Sequence, residues 1–239
     1  MMELRPAAAR GLANFGWLHS QHSFSFGSYY DPEHSGFSDL LVINEDRVRA
    51  GSGFDPHGHR DMEIFSYVLD GALEHKDSMG TGSVIRPGDV QMMSAGTGVR
   101  HSEYNASRSD PVHFLQIWIV PAHQGVEPRY QQRHFSAEEK RGRLRLIIAP
   151  DGADGALAVH QDARVYAGLF DGDEQQRFAL PADRFAYVHV ARGSIEVNGQ
   201  RLNAGDAVKL RRVEEIELAR GQDAEVLLFD LRPVESPGY

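Results

Sequence analysis

The chain has 239 residues, 41% of them apolar, no cysteine, and a formal net charge of −9 with histidine neutral. That is enough chain for one large domain or two modest ones with ordinary cores, and it excludes disulfides and thiolate metal sites. The acidic balance argues against a phosphate-backbone binder, and no apolar run approaches the roughly 18 residues of a membrane span.

The N-terminal stretch MMELRPAAARGLANFGWLHS lacks the charged-then-apolar pattern of a secretion signal. A cytoplasmic protein with neither a nucleic-acid nor a membrane partner is therefore expected. Beyond residue 37, glycine and proline punctuate short β-branched or aromatic runs. These include SDLLVINEDRV (38–48), IFSYVL (64–69), HFLQIWIV (113–120), RLRLIIA (143–149), FAYVHV (185–190), SIEVNG (194–199) and EVLLFDL (225–231). This is an all-β pattern of sandwich or barrel type. SAEEK (136–140), with a serine cap and acidic first turn, is the one short helix expected. The basic stretch KRGRLR (140–145) reads as a solvated hinge or strand edge.

A weak internal repeat runs through the chain. YVLDGALEH (67–75) followed by IRPGDVQMM (85–93) is similar to YVHVARGSIEVNG (187–199) followed by LNAGDAVKL (202–210). Each copy has a Tyr-Val strand, a glycine turn, a return strand and a Gly-Asp turn. Two β-barrels in tandem follow, with a junction inside the polar segment 121–142.

Two short motifs carry chemistry. In HGHRDMEIFSYVLDG (57–71), His57 and His59 are one residue apart; in SAGTGVRHSEYNA (94–106), His101 and Glu103 repeat that spacing. On a strand, positions i and i+2 share a face. Two such pairs inside one barrel can converge on an ion. Three imidazoles and a carboxylate are N and O donors that suit Fe(II), Mn, Ni, Cu or Zn. An octahedral ion would keep two positions for water, dioxygen or a chelating substrate. A lone H-x-H is unremarkable in a chain with 12 histidines; the matched spacing in two places is what singles these out.

The motifs resemble those of the cupins. GSGFDPHGHRDMEIFSYVLDG (51–71) is similar to the first cupin motif and GVRHSEYN (98–105) to the second. With HSFSFGSYYDP (22–32), VINEDRV (42–48) and the rest of 75–105, the first half looks like the pirin branch. The second half resembles the degenerate C-terminal cupin of bacterial pirin-like proteins. The resemblance implies a bicupin, two tandem antiparallel jelly-roll barrels with few short helices. Its partition is an N-terminal domain 1–125, a linker 126–145 and a metal-free C-terminal domain 146–239.

In many cupins the glutamate at the position of Glu63 is a ligand; in pirins it is the one at Glu103. Carried over, the ligands are His57, His59, His101 and Glu103, and Glu63 supports them from behind on the same strand parity. Two departures from the cupin pattern stand out: seven residues, not six, separate Glu63 from Gly71, and Gly96 stands where a proline is expected. His160 and His189 lack a partner histidine and read as lone polar or core residues. One metal site per chain is expected, with the second barrel shaping access.

Pirins carry iron, and several have quercetin 2,3-dioxygenase activity. The resemblance thus implies a metal-dependent dioxygenase that opens a flavonol's heterocyclic ring with O2 and releases carbon monoxide. Fe(II) comes first, with Mn, Ni, Cu, Co or Zn also compatible. Glu103 is the candidate base for the flavonol hydroxyl. Phe54, Met62, Phe65, Met92, Met93 and Phe114 lie near the ligands in sequence; core packing is the ordinary role of each, and some are candidates to line a flat aromatic pocket. The alternative is an iron-binding, redox-sensing regulatory protein similar to a transcription cofactor, and a third reading has the metal merely stapling the barrel. A monomer is expected, with room for a protein partner.

Overall fold

The structure is a computed structural model that describes residues 1–236; the end of the expected C-terminal domain, 237–239, lies outside the described residues. The first half of the chain forms β1 (Met2–Arg5), β2 (Gly11–Asn14), β3 (Leu18–His22), β4 (Leu40–Val48), β5 (Gly53–His59) and β6 (Glu63–Asp70). It continues with β7 (Leu73–Asp77), β8 (Gly82–Ile85), β9 (Asp89–Ser94), β10 (Val99–Asn105), β11 (Val112–Ile119) and β12 (Arg129–His134). One helical turn, α1 (Ala137–Lys140), follows where SAEEK predicts it; Ser136 and Glu139 cap it reciprocally. The second half holds β13 (Leu144–Ala149), β14 (Leu157–Ala158), β15 (Arg164–Phe170), β16 (Gln176–Ala179), β17 (Phe185–Val197), β18 (Gln200–Asn203), β19 (Ala207–Arg211) and β20 (Glu215–Leu231).

Three sheets result. A four-stranded sheet, β5-β10-β7-β8, faces a seven-stranded one, β12-β9-β6-β11-β4-β3-β2, and the two enclose the first barrel. A nine-stranded sheet built on β1-β19-β17-β20-β15-β13-β14 forms the second. The two-barrel, all-β architecture is as the sequence predicts. The internal repeat is visible in the pairing: β6 runs beside β9 as β17 runs beside β19.

Strand parity decides which face of the seven-stranded sheet does what. Leu115, Ile117 and Ile119 of β11 point away from the first barrel into the largest core cluster, together with Phe65, Tyr67 and Met92. That cluster also contains Ile147, Val165, Tyr187, Leu227 and Phe229 of the second half. Each fully buried side chain of this size contributes about 1.5–3 kcal/mol, so the face between the barrels is a shared core. The opposite face of β11 presents Phe114, Gln116 and Trp118 to the interior of the first barrel.

Two features depart from the expected partition. The segment 126–145 is more than a connection: β12 lies within it and pairs with β9 from Arg129↔Ser94 to His134↔Asp89. It covers an edge that would otherwise expose unpaired backbone groups; the polar run RYQQRH hid it. At the other end, β1 pairs with β19 of the second half, from Met2↔Leu210 to Arg5↔Ala207. Residues 2–5 therefore complete the C-terminal sheet.

Candidate metal centre

β5 and β10 are neighbours, and their register places His57 directly opposite His101. Facing residues on adjacent strands share a side of the sheet, so the two imidazoles meet inside the barrel. His57 Nε2 and His101 Nε2 are 3.0 Å apart. The ring centroids of His59 lie 4.9 Å from His57 and 4.8 Å from His101. Beyond His101 the register slips, so that Glu103 faces Phe54. The slip is a bulge on β5 whose extra residue falls in Asp55–Pro56, where the missing proline N–H disturbs no ladder. Gly53 makes the approach possible: a Cβ there would strike the backbone of Glu103 and Tyr104.

The fourth residue is close by. Glu103 Oε2 is 4.0 Å from His101 Nε2. Gln116 Nε2 donates to both carboxylate oxygens, at 3.1 and 3.0 Å, and the Ser66 hydroxyl reaches Oε1 at 3.4 Å. The structure thus brings His57, His59 and His101 into one group, while Glu103 falls in a second group with His101 and His75, so that His101 links the two.

Protonation favours coordination. Burial, with the neighbouring His101 and His57, holds His59 down at about 4; Glu103 acts the other way. Burial, with His57 and His75, holds His101 at about 3, against an opposing pull from Asp77. Both rings are therefore neutral near pH 7 and keep a lone pair. His57 Nδ1 lies 2.7 Å from the Asp55 carbonyl. A carbonyl only accepts, so Nδ1 carries a proton and Nε2 is the nitrogen turned toward His101. Two nitrogens bound side by side to one octahedral ion at about 2.1 Å each sit about 3 Å apart, which the His57–His101 spacing matches. The donor set fits a divalent metal.

A cavity of about 360 Å³ has Phe54 and Gln116 in its wall; none of the four predicted ligands lines it, and Gln116, which donates to Glu103, is the link between the two. Trp17, Leu18 and Phe26 give it an aromatic and apolar lining, and His22, Asn44 and Asp46 add polar groups. His22 Nδ1, Asn44 Oδ1 and Asp46 Oδ1 are buried without a partner in the protein. Burial pushes the Asp46 carboxyl up to about 7; the Ser20 hydroxyl pulls the other way, and the charges of Glu103 and Glu45 add to the rise.

Of the apolar residues singled out from sequence, Phe54 alone lines this cavity. Phe65 and Met92 face the second barrel, Phe114 packs with Val48 and Val68, and Met93 packs with Ile64 and Val99, with Met62 against them. Glu63 is a correction. It does not stand behind the ligands; its carboxylate meets His160 and Ser94 instead. The parity argument failed because residues 60–62 leave the sheet, with Asp61 at φ 48, and β6 belongs to the facing sheet. There Ser66, not Glu63, points inward. His160 consequently has a partner, whereas His189 is fully buried with both ring nitrogens unpartnered.

Sequence reasoning missed Gln116, Ser66 and Asp46. Gln116 and Ser66 are each a lone polar residue at an inward position of an apolar strand, and that interruption was the available signal; Asp46 sits in the polar run Asn44–Arg47 of β4, which gave no such signal.

A model of the pirin family matches residues 4–119, and a model described as the quercetinase C-terminal cupin domain matches residues 146–231. The chain belongs to the pirin family. A protein of Escherichia coli K12 named quercetin 2,3-dioxygenase is 47% identical over 98% of this chain and 100% of its own length. A pirin-like protein of Caulobacter vibrioides is 40% identical over 96% of this chain and 99% of its own. The crystal structure of the bacterial pirin YhhW from E. coli in complex with nickel(II) superposes with a TM-score of 0.93 at 46% identity, covering 98% and 100% of the two chains. The bicupin architecture is thereby that of a pirin. Among the described residues, no helix is long and apolar enough to cross a membrane.

Proposed function

We propose that this pirin is a quercetin 2,3-dioxygenase-type enzyme that opens the heterocyclic ring of a flavonol with O2 and releases carbon monoxide. In this reading His57, His59, His101 and Glu103 hold one divalent ion, with Fe(II) first among the candidates. The ion supplies Lewis acidity that makes the flavonol 3-hydroxyl easier to ionise. Glu103 takes that proton, and Gln116 keeps its carboxylate aimed at the histidines. Trp17, Phe26 and Phe54 provide faces for flat rings, and the unpartnered atoms of His22, Asn44 and Asp46 suit phenolic hydroxyls.

One observation carries the reading: three imidazoles and a nearby carboxylate are linked through Gln116 to an aromatic-walled cavity. A purely regulatory iron protein makes no use of that cavity, and the quercetinase name of the E. coli relative points the same way. The test is O2 uptake and carbon monoxide release by iron-loaded protein on a panel of flavonols. Turnover with both readouts is expected; stoichiometric iron without O2 uptake on any member would overturn the proposal.

A further inference from the structure

We propose that Asp77 and His75 are positioning residues that fix the tautomer of His101 and strengthen it as a ligand. The proposal rests on the reading that His101 binds a metal.

Three groups form a chain leading away from the centre. His101 Nε2 faces His57, while His101 Nδ1 lies 3.4 Å from His75 Nδ1, at the long end for a hydrogen bond. His75 Nε2 is 2.9 Å from Asp77 Oδ2. The side chains of His75 and Asp77 are wholly shielded from solvent. The other Asp77 oxygen accepts the backbone N–H groups of Met79 and Thr81, at 2.9 and 3.0 Å. The carboxylate is thereby locked in the turn after β7. Tyr130 packs on the His75 ring at 4.9 Å between centroids and holds it in place.

With one proton on each ring, these contacts fix a single order. An ionised carboxylate accepts, so His75 carries its proton on Nε2. With its one proton there, the ring leaves Nδ1 bare to accept from His101 Nδ1–H. His101 is left with a bare Nε2, the atom that faces His57 and is nearest Glu103. The tautomer a metal needs is therefore set through His75 by the carboxylate of Asp77, which faces His101 across the β7–β10 ladder. Such a chain also pushes electron density toward the ligand nitrogen, which favours the more highly charged state of an ion.

The same atoms allow a competing arrangement, because His75, His101 and Glu103 also lie close enough to share an ion. In that case His75 would be a ligand. The sequence carries the signal: HKD at 75–77 has the same i,i+2 spacing as the two ligand pairs.

The experiment compares full-length wild type with Asp77→Asn and His75→Gln, each first checked for an unchanged β-sheet spectrum. Long-range 15N NMR on metal-free protein reads the His101 tautomer. Iron added anaerobically as Fe(II) gives affinity by chelator competition, and a redox titration gives the potential. In wild type, His101 is expected protonated at Nδ1 and bare at Nε2. In Asp77→Asn, one ion still binds at saturation, but Fe(II) affinity falls 10–100-fold. Fe(III) affinity falls further, and each extra tenfold raises the potential by about 59 mV. His75→Gln behaves alike. Wild-type His101 protonated at Nε2, or an Asp77→Asn protein with unchanged affinity and potential, overturns the relay. Loss of stoichiometric metal in His75→Gln with full retention in Asp77→Asn overturns it in favour of His75 as a ligand. A wild-type chain that binds no divalent ion sinks the underlying metal reading instead, so the two failures are separable.

Discussion

Glu63 and His160 join the two barrels by direct contact. His160 Nδ1 lies 3.1 Å from Glu63 Oε1, and the backbone N–H of His160 donates to Oε2 at 3.2 Å. Glu63 is completely buried, so its carboxylate depends on these partners and on the Ser94 hydroxyl. Replacing His160 with alanine removes the partner of one oxygen and leaves the other satisfied. A loss of about 1.5–3 kcal/mol is expected, read as a lower denaturant midpoint at unchanged metal stoichiometry. Loss of metal in His160→Ala would mean that this contact does reach the centre.

At the centre itself, His57→Ala or His101→Ala is expected to abolish stoichiometric metal binding and flavonol turnover together. Each removes one of two nitrogens 3.0 Å apart on facing strands. The backbone ladder between β5 and β10 does not need the rings, so the circular dichroism of the sheet should survive. Metal analysis of the purified variants decides; full stoichiometry in both would count against the ligand assignment.

How much of this was legible from sequence follows from periodicity. The four predicted ligands come from two i,i+2 pairs, and an unbroken strand preserves that relationship, so the alternation could be read directly. Glu63 was misread because the alternation was carried across residues 60–62, where the chain passes from one sheet to the other. Gln116 and Ser66 showed only as polar interruptions, because their role depends on which face of β11 and β6 looks inward, and those strands are buried on both sides. With apolar residues on both faces, no pattern distinguishes the face toward the cavity from the face toward the second barrel. The pairing of β1 with β19 joins residues some 200 positions apart, a contact no local signal encodes.

Glu103 offers a sharper dissection of binding from chemistry. Glu103→Gln keeps the size and one oxygen donor but cannot accept a proton at ordinary pH. Partial metal retention with a turnover loss of about 10²–10⁴-fold is expected, the range of a lost general base. Gln116→Leu should act differently. It leaves the carboxylate present but removes the amide that donates to both oxygens, so metal affinity should fall about 10–100-fold. Parallel metal titrations and single-turnover rates separate the two; unimpaired turnover in Glu103→Gln would remove the carboxylate from the proton transfer.

The cavity carboxyl of Asp46 gives a pH signature in metal-free protein. Burial, opposed by Ser20 and reinforced by Glu103 and Glu45, raises it from an ordinary 3.8 to about 7. Between those values the folded chain holds a proton that the unfolded chain has released. The folded state then binds more protons, so stability contributed by this group falls as pH rises from about 4 to about 7 and is flat above. Asp46→Asn is neutral throughout and lacks this slope. Relative to wild type, the variant should gain roughly 2–4 kcal/mol at pH 8, because a tenfold change in acidity corresponds to about 1.4 kcal/mol, and almost nothing at pH 4. Urea denaturation of both proteins at the two pH values measures the difference. An equal effect at pH 4 and pH 8 would show that Asp46 keeps an ordinary acidity and is charged in the cavity, and its place beside the aromatic walls would then suit a cationic group better than a phenol.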